Sequence, residues 1–78
     1  MWNKCTDRMP NKDGIYMTAE KIGKHVIYRI VPFKKDLGDM GIDLAEYKGV
    51  SGFCDSDPEY GSFIVEPDAW KYIERYRG

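Results

Sequence analysis

The sequence predicts a small α+β domain: an antiparallel sheet of about four strands with a short C-terminal helix. Three observations favour this fold class: apolar and polar residues alternate in the first half, short turn sequences separate the candidate strands, and apolar residues recur at helical spacing near the end. A length of 78 residues leaves room for one domain, residues 1–78. Strands joined by short turns pair antiparallel, because a parallel crossover needs a longer connection.

The first half of the chain predicts two strands joined as a hairpin. Residues 2–9 are expected to form a loop or one helical turn, which Pro10 ends. Residues 15–20 alternate between apolar and polar side chains, which is typical of a half-buried strand. Residues 25–33 carry β-branched and aromatic side chains on both faces, and Pro32 marks an edge or a bulge.

The second half predicts two further strands separated by polar segments. Residues 34–43 indicate a polar loop, and residues 44–54 indicate one bent strand interrupted by two glycines. Residues 55–59 have the composition of a turn, and residues 60–66 alternate as a strand does. With the hairpin, these segments complete the predicted sheet.

The C-terminal segment predicts a helix. Pro67 suits the first turn of a helix, where early acidic residues also favour the helix dipole. The apolar residues that follow share one helical face: Ala69, Tyr72, Ile73 and Tyr76. The alternative is a final strand through Trp70, Tyr72 and Glu74, which would make the fold all-β.

Composition limits the class of protein. A hydrophobic fraction of 42% and an aromatic fraction of 14% predict a packed core, with Trp2 and Trp70 as core or rim anchors. No apolar run approaches the roughly 20 residues that span a bilayer, and no signal peptide is visible. We therefore expect a cytoplasmic protein without a membrane partner. Cys5 and Cys54 fit that compartment as free thiols.

The charges are segregated along the chain although the net charge is only −1. Residues 1–35 are basic, residues 36–68 are strongly acidic and residues 69–78 are mildly basic. We expect folding to pair the basic first half with the acidic middle. The G-x-x-G sequence at 38–41 matches certain nucleic-acid-binding loops, but Asp39 and its acidic neighbours would repel a phosphate backbone. Nucleic acid is therefore not expected as a partner.

No residue pattern predicts catalysis, a metal or a cofactor. Asp55, Asp57 and Glu59 have the spacing of a calcium loop but lack the other positions of that pattern. Cys5, Cys54 and the single histidine show neither paired zinc-ligand spacing nor the signature of an activated nucleophile. We expect a protein that is not an enzyme.

The candidate binding site is a cationic segment that contains a tyrosine. Arg29 is the lone charge within a hydrophobic strand, and a guanidinium there can bind an anionic group through two hydrogen bonds. Tyrosine rings nearby can stack on a ligand or extend a contact surface. The predicted ligand or partner site is Tyr28, Arg29, Lys34 and Lys35. A solvated arginine that packs its stem on its neighbours is the alternative.

The start of the chain carries an ordered motif. Its elements are Trp2, Asp7-Arg8, Met9-Pro10, Gly14 and Tyr16, and Trp70 adds a weaker similarity near the end. This order resembles a family of small phage and prophage proteins of unknown function. Members of that family often end in a strand with a tryptophan followed by prolines, and no proline follows Trp70 here. The resemblance implies a small accessory protein in a bacterial cytoplasm, and it carries over no catalytic residue.

Two functions are expected from these observations. The first is a binding protein that inhibits or sequesters a host factor, such as a defence or regulatory protein. The alternative is an oligomeric sponge for a small anionic ligand such as a nucleotide signal, with Arg29, Lys34 or Lys35 facing the ligand. Because the strand at 25–33 is apolar on both faces and a small sheet covers only one well, we expect a homo-oligomer.

Overall fold

The computed structural model describes residues 1–73 and shows a single antiparallel sheet. Six strands form within that range: β1 (Asn3–Lys4), β2 (Gly14–Ile22), β3 (His25–Lys34), β4 (Gly52–Asp57), β5 (Gly61–Val65) and β6 (Ala69–Tyr72). Their order across the sheet is β1-β6-β2-β3-β4-β5, and every neighbouring pair is antiparallel. Two short 3-10 helices, Leu37–Met40 and Ile42–Tyr47, lie between β3 and β4.

The predicted C-terminal helix and the α+β class are wrong, and the all-β alternative describes the fold. Ala69–Tyr72 is strand β6, which lies between β1 and β2, while Tyr76 lies outside the described residues. Two-residue alternation places Trp70 and Tyr72 on the same face of the sheet. Burial of the Trp70 ring outweighs a weak local preference, because a short isolated helix gains little stability from propensity alone. The estimate of about four strands is also too low, because it omits β1 and β6. Both strands are short, and they pair with each other.

The predicted β2–β3 hairpin is confirmed. Gly23 and Lys24 form its two-residue turn, and the φ angle of +60° at Gly23 matches a turn with glycine at the first central position. The bent strand predicted at 44–54 is wrong, because Leu44 lies in the second 3-10 helix and β4 begins at Gly52. The Asp36 carboxylate accepts hydrogen bonds from two backbone N–H groups, at Gly38 (3.0 Å) and Gly49 (2.8 Å), and so holds this segment in place.

The core consists of two clusters on opposite faces of the sheet. The larger cluster contains Tyr16, Val31, Phe33, Phe53, Val65 and Trp70. The smaller cluster packs the 3-10 helices against β4 and consists of Leu37, Leu44 and Cys54. The extents of the molecule, 34 × 31 × 29 Å, are nearly equal, so the sheet is strongly curved around the larger cluster. Trp70 is confirmed as a core anchor at 1% exposure, and Trp2 lies at the rim with 37% exposed.

Two further expectations concern the compartment of the protein. Cys5 and Cys54 are both free thiols. Among residues 1–73, no helix combines the length and apolarity needed to cross a membrane.

Candidate functional site

The sheet has one face that is covered at one end and open at the other. Directly opposed residues in an antiparallel pair point to the same face. We call the inner face the one that bears the larger core cluster, and the outer face the opposite one. Over β4 and β5, the outer-face residues Cys54 and Ile64 are covered by the 3-10 helices. Over β2, β3 and β6, the outer face is open and presents Ile15, Met17, Ala19, Val26, Tyr28, Ile30, Ala69 and Lys71.

Large apolar side chains are exposed on the open part of the outer face. Tyr28 is 64% exposed, Ile15 62% and Ile30 60%, and Val26 is also exposed. Together with Trp2, these side chains form what we call the outer patch. Exposed apolar residues scattered singly are ordinary on protein surfaces, whereas a contiguous group on one sheet face indicates a contact surface.

Trp2 is held in the outer patch by two neighbours. Its ring centroid lies 6.0 Å from that of Tyr28, and the Lys71 ammonium lies 4.7 Å from the Trp2 ring centroid. Ala19 and Ala69 are paired in the row that joins Tyr28 to β1, and their small side chains leave room for the indole. The result is an aromatic pair on an otherwise aliphatic surface.

Lysines border the outer patch. Lys4 pairs with Ala69, Lys21 with Val26, and Lys71 with Met17, so all three belong to the outer face. Glu20 belongs to the inner face, because it is opposed to Ile27. The patch therefore has an apolar centre and a basic margin.

The structure does not bring the four predicted site residues together. Tyr28 lies in the outer patch, whereas Arg29 follows it in β3 and points to the inner face. The Lys34 ammonium lies 3.8 Å from a carboxylate oxygen of Asp13, and the backbone N–H of Lys35 donates to the same side chain at 2.7 Å. Within residues 1–73 this ion pair joins two residues of the basic first half, so it does not provide the expected pairing with the acidic middle.

Arg29 lines a cleft of about 510 Å³ on the inner side of the sheet, together with Glu20, Tyr47, Phe63 and Glu66. Its Nε is buried and, among residues 1–73, has no hydrogen-bond partner. Its own backbone carbonyl accepts a hydrogen bond from the Thr18 hydroxyl at 3.4 Å. An unpaired buried N–H costs stability, and nothing among residues 1–73 offsets that cost.

The two thiols and the Asp57 carboxylate have structural roles. Burial raises the pKa of both thiols, at Cys5 and Cys54, above the ordinary cysteine value, which keeps them protonated and unreactive at neutral pH. The Asp57 carboxylate accepts from the backbone N–H groups of Glu59 (2.7 Å) and Tyr60 (3.1 Å), as expected of a turn. No group of three or more potential ligands is placed to hold a metal ion within the described residues.

No protein-family model matches the chain, and neither a curated protein nor a solved structure shows detectable similarity to it. The resemblance to small phage proteins stays a prediction. Sequence reasoning named Tyr28 but missed Trp2, Ile15 and Ile30 as members of one surface. The signal was present, since the strand at 25–33 has apolar residues on both faces.

Proposed function

We propose that this protein acts by binding another protein through the outer patch, and not by catalysis. The observation that carries the proposal is the contiguous exposure of Trp2, Ile15, Tyr28 and Ile30 beside Val26 on one sheet face. If each side chain offers about half of a surface of roughly 200 Å², the patch measures on the order of 500 Å². That is at the upper end of what a monomer exposes without using it.

The margin of the patch indicates the chemistry of the partner. Lys4, Lys21 and Lys71 border the apolar centre, so a complementary surface has an apolar centre and acidic groups around it. The resemblance of the N-terminal motif to small phage proteins supports a host factor of a bacterial cytoplasm as this partner. Binding would inhibit or sequester a defence or regulatory protein by covering its acidic contact surface.

A non-catalytic role is supported by the state of the nucleophiles. A reactive thiol needs a lowered pKa, and burial has the opposite effect on Cys5 and Cys54. The Tyr16 hydroxyl is occupied by a hydrogen bond to the Lys12 carbonyl at 2.9 Å. These groups stabilise the fold instead of forming a reactive centre.

The experiment is affinity capture of the tagged protein from bacterial lysate, with crosslinking and mass spectrometry. The variants are Ile15→Asp and Trp2→Ala, and the matched control is Ile42→Asp, which changes an isoleucine that is 92% exposed on the second 3-10 helix. We expect the wild type and the control to recover the same partner and the two patch variants to lose it, with circular dichroism showing that all four are folded.

Three outcomes would count against this function. Recovery of no protein above background would remove its basis, and so would retention of the same partner by Ile15→Asp. Salt-dependent binding of a single-stranded oligonucleotide, lost in the same variants, would assign the lysines and aromatic rings to nucleic acid instead.

A small anionic ligand at Arg29 is a second candidate, favoured by the unpaired Nε in the cleft. Glu20 and Glu66 line the same cleft, so an anion would meet two carboxylates and one guanidinium. Lys34 and Lys35 are held near Asp13 and do not supply the missing positive charge. A thermal-shift screen of nucleotides tests this candidate, because a ligand of the native state raises the melting temperature, and Arg29→Lys should abolish the shift.

A further inference from the structure

Strand β3 has a long edge without a neighbouring strand. β2 pairs with β3 from His25 to Phe33, whereas β4 pairs with it only at Phe33 and Lys34. Among residues 1–73, the far side of β3 from His25 to Val31 therefore faces no other strand. An exposed strand edge carries unpaired N–H and C=O groups and is a template for another strand.

The hairpin turn determines which backbone groups point outward. A two-residue turn makes Ile22 and His25 a hydrogen-bonded pair, and bonded and non-bonded pairs alternate from there along the hairpin. The N–H and C=O groups of Val26, Tyr28 and Ile30 are consequently directed away from β2. The Arg29 carbonyl oxygen accepts a hydrogen bond from the Thr18 hydroxyl of β2, so it faces β2 as this alternation requires.

We propose that a second copy of this chain binds along this edge, with the two β3 strands antiparallel and Tyr28 opposite the partner's Tyr28. Val26 then pairs with the partner's Ile30, and the two strands exchange about six hydrogen bonds over three residue pairs. Tyr28 is the midpoint of the free segment from His25 to Val31, so this register uses the whole edge. Pro32 ends the ladder, because it has no N–H to donate.

Charge selects this register over its neighbours. Centring the pair on Arg29 would place two guanidinium groups directly opposite each other, which is destabilising. Centring it on Ile27 would pair Ile30 with Lys24, which lies in the turn. In the register centred on Tyr28, Arg29 is opposite the partner's Ile27, and no like charges meet.

The second copy also completes the surroundings of Arg29. On the inner face, the strand beyond the partner's Ile27 presents the partner's Glu20, since Glu20 and Ile27 are opposed in each hairpin. Two strand spacings, about 10 Å, separate the Cα atom of Arg29 from that of the partner's Glu20, and these two long side chains span that distance. The Arg29 guanidinium, whose Nε is unpaired within residues 1–73, then has a carboxylate within reach of its terminal nitrogens, and symmetry forms this pair twice.

The contact is a strip and not a broad interface. It is smaller than the roughly 800 Å² per partner of a standard stable complex, so the dimer is reversible and forms at about micromolar concentration or above. The proposal does not depend on the protein-binding function. Ile15, which tests that function, lies on β2 away from this edge.

Sedimentation analysis of the wild type and two charge variants tests the arrangement. The wild type should approach twice the monomer mass of 9.1 kDa between about 1 µM and about 1 mM. Arg29→Glu alone places two carboxylates at each contact, and Glu20→Arg alone places two guanidinium groups there, so each should remain monomeric. An equimolar mixture restores both opposite-charge contacts and should form a mixed dimer. A wild type that stays monomeric at about 1 mM, or a mixture that associates no better than its components, would overturn the proposal.

A backbone variant tests the edge itself. Val26→Pro removes an N–H that does not face β2, and Val26→Ala removes the same side chain but keeps the N–H. We expect Val26→Pro to weaken association about tenfold or more and Val26→Ala to weaken it much less. Equal effects of the two variants, each shown to be folded by circular dichroism, would contradict pairing through the backbone. If Val26→Pro does not fold, the mixed-charge experiment decides by itself.

Discussion

Trp70→Ala will destabilise the protein by about 3–5 kcal/mol, because the core closes around this ring. The side chain is 1% exposed, and burying an aromatic surface of roughly 150–250 Å² contributes about 4–6 kcal/mol. Its ring is 5.2 Å from that of Tyr16 in an edge-to-face arrangement, and its Nε1–H donates to the Arg8 carbonyl at 2.7 Å. Alanine still buries part of the apolar surface at this position, which lowers the expected loss of unfolding free energy. The lost hydrogen bond raises that loss by about 1 kcal/mol.

The assay is urea unfolding followed by far-ultraviolet circular dichroism, with Tyr72→Ala as the matched control. Tyr72 is on the same strand and face as Trp70 but is 61% exposed, so its loss should cost less than about 1.5 kcal/mol. A chain of 78 residues has a total stability of roughly 4–12 kcal/mol, so Trp70→Ala removes a large part of it. A loss below about 1 kcal/mol with an unchanged denaturant slope would refute the central position of this ring.

Two further predictions concern groups fixed inside the fold. Burial raises the pKa of Tyr16, so the fold favours its neutral form; this stability is complete below the unfolded value near 10 and is lost as the pH rises through the folded pKa. Wild type should therefore lose stability faster than Tyr16→Phe as the pH rises above about 10, and parallel losses would contradict this. Asp36→Ala should lower the unfolding free energy by about 1–2 kcal/mol and speed amide exchange at Gly49, because the Gly49 N–H donates a hydrogen bond to the Asp36 carboxylate. Asp39→Ala, at an exposed position, should do neither.

The sequence predicts correctly those elements whose structure depends on residues close together in the chain. The β2–β3 hairpin follows from two-residue alternation and a glycine turn, both of which act locally. Strand β6 could not be predicted in this way, because Ala69–Tyr72 satisfies helical and strand spacing equally and pairing with β1 and β2 decides between them. Leu44 joined a 3-10 helix for a comparable reason, since its place in the smaller core cluster depends on Leu37 and Cys54 being nearby in space.

The candidate site also combines features that local sequence predicts with features that depend on distant contacts. Alternation along β3 already separates Tyr28 from Arg29, so their placement on opposite faces followed from the predicted strand. The association of Lys34 with Asp13 required the register at the far end of the hairpin. Trp2 joined Tyr28 through β1 and β6, two strands that no local pattern revealed.

The position of β6 has a consequence for synthesis. Among the described elements it is translated last, yet it lies inside the sheet, between the first strand and the hairpin. Until Ala69–Tyr72 leaves the ribosome, β1 has no strand to pair with and the nascent hairpin has its β2 side open as well as its β3 edge. Open strand edges on a nascent chain recruit other chains, and closure by distant residues is slow. A ribosome that stalls shortly before Ala69 would therefore expose an aggregation-prone intermediate, which the last few residues of the strand convert into a closed core.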